Sequence, residues 1–271
     1  MKLYPSIGRG LCWAALVALA VSPAGLFAGE RAAKLRPGEY NPEHQTVEMF
    51  AAMAAGQVEV KYIPKDSTEA RVFIKNKSEK ALNVQLPEAF AGVPVLAQFG
   101  VGGGGGGGQQ GGGGGQQGQG GGFGGGGGGG GQQGGGGGFF NVPPERVGEL
   151  KVTCVCLEHG KKDPRPAVPY EIRPISSFTD DPAVQELCKL IGQGRYDQRT
   201  AQAAAWHLSS KMSWQELAAK QVIRANGQRY AWFSPQELHG AVQMTNVTAE
   251  MVRTRPVQSP GEQTASSAKA E

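Results

Sequence analysis

The residues of this chain that could do chemistry are few, and the densest group is Cys154-Val155-Cys156-Leu157-Glu158-His159. On an extended strand Cys154, Cys156 and Glu158 share one face, because successive side chains alternate, and His159 falls at the turn that follows. Thiolate, carboxylate and imidazole all ligate zinc, so Cys154, Cys156 and His159 could centre a metal-binding or enzymatic site. Zinc sites commonly draw four ligands from two short clusters, and this chain has no second one. The cysteines therefore read first as inward-facing core residues, a role that suits a small apolar side chain.

Compartment decides what such thiols do. Lys2 and Arg9 precede an apolar run from Leu11 to Val21, and small residues lead to Ala28. A basic start, a short apolar core and a small-residue exit predict a signal peptide over residues 1–28. Cys154, Cys156 and Cys188 then remain in an oxidising environment, where a disulfide is the default. Cysteines two apart on a strand are poorly placed to bond each other, so one of them, Cys156 in the first instance, is expected to pair with Cys188.

Aromatic and basic residues mix between Arg195 and Phe233: Trp206, Trp214, Tyr230 and Trp232 beside Arg199, Lys211, Lys220, Arg224 and Arg229. If exposed they would form a platform for sugars or an envelope polymer. An Ala-rich run around Trp206 and a helix start at Trp214 favour core packing instead. The four histidines are scattered, and no nucleophile-elbow, zincin or phosphate-loop pattern occurs. The chain holds 27 basic and 23 acidic residues without a concentrated basic run, which gives no reason to expect nucleic acid. No cofactor is implied.

The elements that must position these residues change character along the chain. After an N-terminal segment over 29–56 with a possible short helix, alternation of apolar and polar residues predicts strands over 58–62, 70–75, 82–86, 150–156 and 170–172. A turn at Asn76–Lys80 is expected to join the second and third into a hairpin. Between them and the cysteines lies Gly100–Phe140, almost wholly Gly with Gln-Gln pairs at 109–110, 116–117 and 132–133. Such a composition buries too little to offset its ordering entropy, so a disordered insertion is expected. From 177 to 251 the pattern is helical. Asp181-Pro182 and Asp197 are N-caps, and Ser213-x-x-Glu216 and Ser234-x-x-Glu237 are capping boxes. Residues 252–271 read as a disordered tail.

Two resemblances add to this. FIKNKSEKALNVQLPEAFAGVPVLAQ, VTCVCLEHGKKDPRP and AQAAAWHLSSKMSW look like segments of secreted glycine-rich proteins of planctomycete-type bacteria, which implies export. Thr200-Ala-Gln202-Ala-Ala-Ala-Trp206 is similar to the T-Q-x-A-x-W helix of thioester adhesin domains, with one residue inserted after the Thr. That similarity implies an internal thioester between Gln202 and a preceding cysteine, Cys154 in the first instance.

The expectation is thus an α+β chain: an immunoglobulin-like antiparallel β-sandwich over 57–176, interrupted by the disordered Gly-rich insertion, then a small helical region. Its expected role is that of an exported, non-enzymatic structural or interaction protein of the envelope. The alternatives are a covalent adhesin and a metal-binding protein or enzyme.

Overall fold

The computed structural model describes residues 40–95, 115–124 and 138–255. The expected signal peptide and most of the tail lie outside them. In chain order the elements are β1 (Gln45–Glu48), α1 (Met49–Ala54), β2 (Val58–Pro64), β3 (Glu69–Asn76), β4 (Leu82–Gln85) and β5 (Phe90–Pro94). Then come β6 (Gln119–Gly121), β7 (Phe139–Val142), β8 (Val147–Cys156) and β9 (Tyr170–Pro174). The helical part holds α2 (Pro182–Gly192), α3 (Gln198–Ser209), α4 (Trp214–Ala219), the hairpin β10 (Gln221–Ile223) and β11 (Arg229–Ala231), and α5 (Pro235–Thr254).

The chain is α+β and mostly antiparallel, but the strands do not stack as the two-sheet sandwich expected from their pattern. Six of them close into a barrel in the order β2-β3-β8-β6-β5-β9. Closure needs β6, which bridges β5 and β8 in antiparallel register (Gly120 opposite Ala91 on one side and Val155 on the other). That strand comes from inside the Gly/Gln tract, so part of the expected disordered insertion is a structural strand. The hairpin expected around Asn76–Lys80 also differs. The turn exists, with the Asn76 Nδ2 donating to the Lys80 carbonyl at 2.7 Å, but β3 pairs with β2 and β8. Strand β4 leaves for a separate sheet, between β1 (parallel) and β7 (antiparallel).

Alternation along β8 divides the apolar residues between two cores. Val152 and Cys154 point into the barrel with Tyr62, Val72, Phe90 and Tyr170. Val155 and Leu157 point outward against α2, α3 and α5, where they meet Leu187, Cys188, the buried alanines 203–205 and Met244. Burying one such branched or aromatic side chain contributes about 1.5–3 kcal/mol, so both layers carry stability.

The glutamines of the tract supply the polar part of the barrel core. Gln119 accepts from the Tyr62 hydroxyl at 3.0 Å and donates to the Asp66 carbonyl at 2.8 Å. Tyr170 donates its hydroxyl to the Gln117 carbonyl at 2.8 Å, and Phe123 packs 4.8 Å from Phe90. The glycines serve proximity. A Cβ on Gly120 would stand 2.7 Å from the Cys188 sulfur, and one on Gly122 would stand 2.5 Å from the Cys188 carbonyl oxygen. Helix α2 therefore rests on bare strand backbone.

Helices α2 to α5 begin where their caps predict. Asp181 accepts from the Ala183 N–H, Asp197 from the Arg199 and Thr200 N–H groups, and both capping boxes are complete. Helix α5 runs through Val252 to Thr254, beyond the expected boundary at 251. No helix among the described residues is long and apolar enough to cross a membrane.

Candidate functional site

Strand β8 outruns its partner. Beyond Thr153 it has no further register with β3, and the Cys154 N–H finishes that ladder on the Thr68 carbonyl at 2.8 Å. Helix α3 takes over with polar side chains in place of a strand. Gln198 Nε2 donates to the Cys154 carbonyl at 3.0 Å. Gln202 accepts from the Cys156 N–H and donates to the Cys156 carbonyl, both at 2.8 Å. Ser209 donates to the Leu157 carbonyl at 2.7 Å, and Ser210 accepts from the His159 N–H at 3.0 Å. Gln198, Gln202 and Ser209 fall on one helix face among buried alanines, with Ser210 just past the helix end, so a polar stripe replaces the missing β-ladder.

Where β8 hands over to α3, a cleft of about 390 Å³ opens, floored by Gln202 and Trp206 and walled by Gln117, Asp163, Trp232 and Phe233. His159 and Lys220 stand at it together. The Lys220 ammonium lies 2.8 Å from His159 Nε2 and sits over the rings of Trp206 and Trp232, 5.2 and 4.9 Å from their centroids. Burial lowers the pKa of Lys220, against the attraction of Asp163, which raises it. Burial also lowers that of His159, and the neighbouring ammonium lowers it further. A neutral imidazole accepting from a charged lysine is the consistent state at neutral pH. An ammonium over two indoles is a cation–π arrangement that strengthens as water is excluded.

The other candidates separate. Cys154 lies inside the barrel, its sulfur 3.3 Å from the Tyr62 hydroxyl, while Cys188 sits on α2 in the outer core. Cys154, Cys156 and Cys188 are all buried free thiols, so the expected Cys156–Cys188 disulfide is not formed: the barrel wall stands between the two side chains. Burial pushes the Cys154 thiol up to about 12 and raises Cys156 and Cys188 as well. The Gln202 carboxamide is held at both ends by backbone, whereas the Cys154 thiol faces the barrel interior, so the pair required for a thioester is not brought together. Cys154 and Cys156 share a face of β8, but His159 stands away at the cleft beside Lys220, and no group of three or more His, Cys, Asp or Glu among the described residues is placed to hold a metal ion.

Of the aromatics expected to pack in the core rather than form a platform, Trp206 is buried at 5% exposure, and both Trp206 and Trp232 line the cleft. Trp214 instead stacks on His207 at 4.1 Å, and Tyr230 stands exposed beneath Arg224 on the β10–β11 hairpin. Reading the sequence missed Gln117, Asp163 and Gln198. For Gln198 a signal exists in its i, i+4 spacing to Gln202; for Gln117 the signal is the single Gln119 and Phe123 that follow it, a spacing the rest of the tract does not repeat. Compared with family models, curated proteins and solved structures, the chain matches none of them.

Proposed function

We propose that this chain is an exported, non-enzymatic interaction protein that holds an external ligand of the cell envelope in the cleft beside Lys220. The observation that carries this reading is the lysine itself. An ammonium half-buried over Trp206 and Trp232 and held by the imidazole of His159 stands where a ligand would meet it. Perturbed groups gathered in a cleft are the usual mark of a binding site. Thiols buried and raised in pKa do not serve as nucleophiles near neutral pH, which supports binding over covalent chemistry. Export rests on the Lys2–Ala28 leader pattern.

The test is retention of the purified chain on insoluble peptidoglycan sacculi, comparing wild type with Lys220→Ala and Trp232→Ala. Loss of retention in both variants, with unchanged thermal midpoints, supports the reading. Equal retention by all three proteins would remove the cleft from the function.

A further inference from the structure

Two residues that line the cleft, Trp206 and Gln117, each carry a buried polar atom with no hydrogen-bond partner among the described residues: Nε1 of Trp206 and Oε1 of Gln117. Trp206 is 5% exposed and Gln117 2% exposed. Folded proteins leave few such atoms, and each one asks what would satisfy it. The orientation of the Gln117 amide is fixed, because its Nε2 donates at 2.8 Å to Asp163 Oδ1, which can only accept. Its free end is therefore an acceptor, while that of Trp206 is a donor.

The charges at the cleft are equally unequal. Lys161 is paired with Glu158, and Arg199 with Glu237 at 2.6 Å. Lys220 has no carboxylate partner among the described residues, and its neighbour His159 is a neutral acceptor. One unpaired cation and one indole N–H suit a single negative charge carried on oxygen. A phosphate dianion would lack a second free cation and would meet the Asp163 carboxylate. At the Gln117–Asp163 side the cleft instead offers acceptors, which suit hydroxyl or ammonium hydrogens.

We infer that the cleft takes a small carboxylate that also carries hydrogen-bond donors, with Lys220 and Trp206 Nε1 receiving the carboxylate and Gln117 Oε1 with Asp163 receiving the donors. Sugar acids and amino acids share this chemistry. The inference rests on the reading of the cleft as a ligand site and specifies what that site selects.

Two probe pairs test it, each differing at the carboxylate alone: D-glucuronate against D-glucose, and alanine against alaninamide. Binding is followed by calorimetry and by the indole N–H resonances in ¹⁵N-correlated spectra of the full chain. The expected result is that at least one acid binds ten-fold or more tightly than its neutral partner and shifts the Trp206 indole resonance. Lys220→Met, which keeps the aliphatic stem, should then weaken that acid ten-fold or more without moving the thermal midpoint. Which acid binds identifies the source. If glucose or alaninamide binds as well as its acid, the carboxylate assignment fails while the cleft remains a site. If no probe moves the Trp206 resonance, the assignment is overturned, and the sacculus experiment decides the wider reading separately.

Discussion

Gln202 and Cys156 form a closed pair: the carboxamide oxygen of Gln202 accepts from the Cys156 N–H while its nitrogen donates to the Cys156 carbonyl, each at 2.8 Å. One side chain thus does the work of an adjacent β-strand for one residue, and it ties α3 to the barrel at the edge of the cleft.

Replacing Gln202 with Ala should cost about 2 kcal/mol or more, because it leaves a buried N–H and a buried C=O without partners. Gln202→Glu should be worse at neutral pH, since a carboxylate cannot donate to the Cys156 carbonyl, and should recover as acid protonates it. Urea unfolding followed at neutral and acidic pH measures both. An Ala variant as stable as wild type would show that the pair is dispensable.

Strand β6 gives a sharper forecast, because a bare glycine loop and a barrel strand respond oppositely to mutation. Gly120→Val pushes two methyls toward the Cys188 sulfur and should destabilise by at least about 3 kcal/mol, the upper range of overpacking penalties. Replacing 117–123 with seven glycines should also lower the thermal midpoint markedly, by removing Gln117, Gln119 and Phe123. Calorimetry showing no change in either variant would return the whole tract to the status of a loop.

All three thiols should resist a disulfide-exchange reagent in the native state and react together on unfolding. The mass of the intact chain, with its leader removed, should equal that of the fully reduced polypeptide. A mass lower by two hydrogens, or by one ammonia, would contradict the arrangement of Cys154, Cys156, Cys188 and Gln202.

Acid should unwind the helix caps. Burial raises the Asp197 pKa, but hydrogen bonds from Thr200 and Arg199 outweigh it and the net value is lowered; Asp181, capped and paired with Lys211, behaves alike. A depressed folded-state pKa contributes stability that is present above the ordinary aspartate value near ~3.9 and disappears as pH falls through the folded value. Asp197→Asn keeps a capping oxygen without the titration, so its thermal midpoint should fall less steeply than that of wild type below about pH 4. Parallel slopes would sink this account.

The histidine of the cleft titrates by the same logic at higher pH. Its neutral form is favoured by burial and by Lys220, so the stability it contributes is present above about 6.5, the ordinary histidine value, and declines as pH falls through the lowered folded value. Lys220→Ala should raise the His159 pKa toward the ordinary value, with burial still holding it below. Imidazole proton shifts followed against pH check this; an unmoved midpoint would break the Lys220–His159 link.

What could be read from the sequence was whatever is encoded locally. Strands β2, β3 and β8 announce themselves because residues such as Val58, Val72 and Val152 alternate with solvent-facing charges, and helices α2 to α5 are announced by Asp181, Asp197, Ser213 and Ser234. Strand β5 escapes this logic, since Phe90, Ala91 and Gly92 are buried on both faces and show no alternation. The β3–β4 connection misleads because a turn at Asn76–Lys80 does not say which sheet the next strand joins. The cleft stayed hidden for a related reason. His159, Trp206, Lys220 and Trp232 were each visible, but Gln117 and Asp163, which complete it, are brought there by the closure of the barrel.

A chain that threads a strand from a monotonous tract between β5 and β8 carries a search problem into its folding. Gln-Gln pairs at 109–110, 116–117 and 132–133 are near-copies of one another, yet only the run from Gln117 to Phe123 holds two spaced amides and a ring. Those three side chains act as the teeth of a key that selects one alignment from many decoys. Added residues on either side of that run lengthen a connection at a cost that grows only logarithmically. A single residue inserted between Gln119 and Phe123 would turn the teeth to the wrong face.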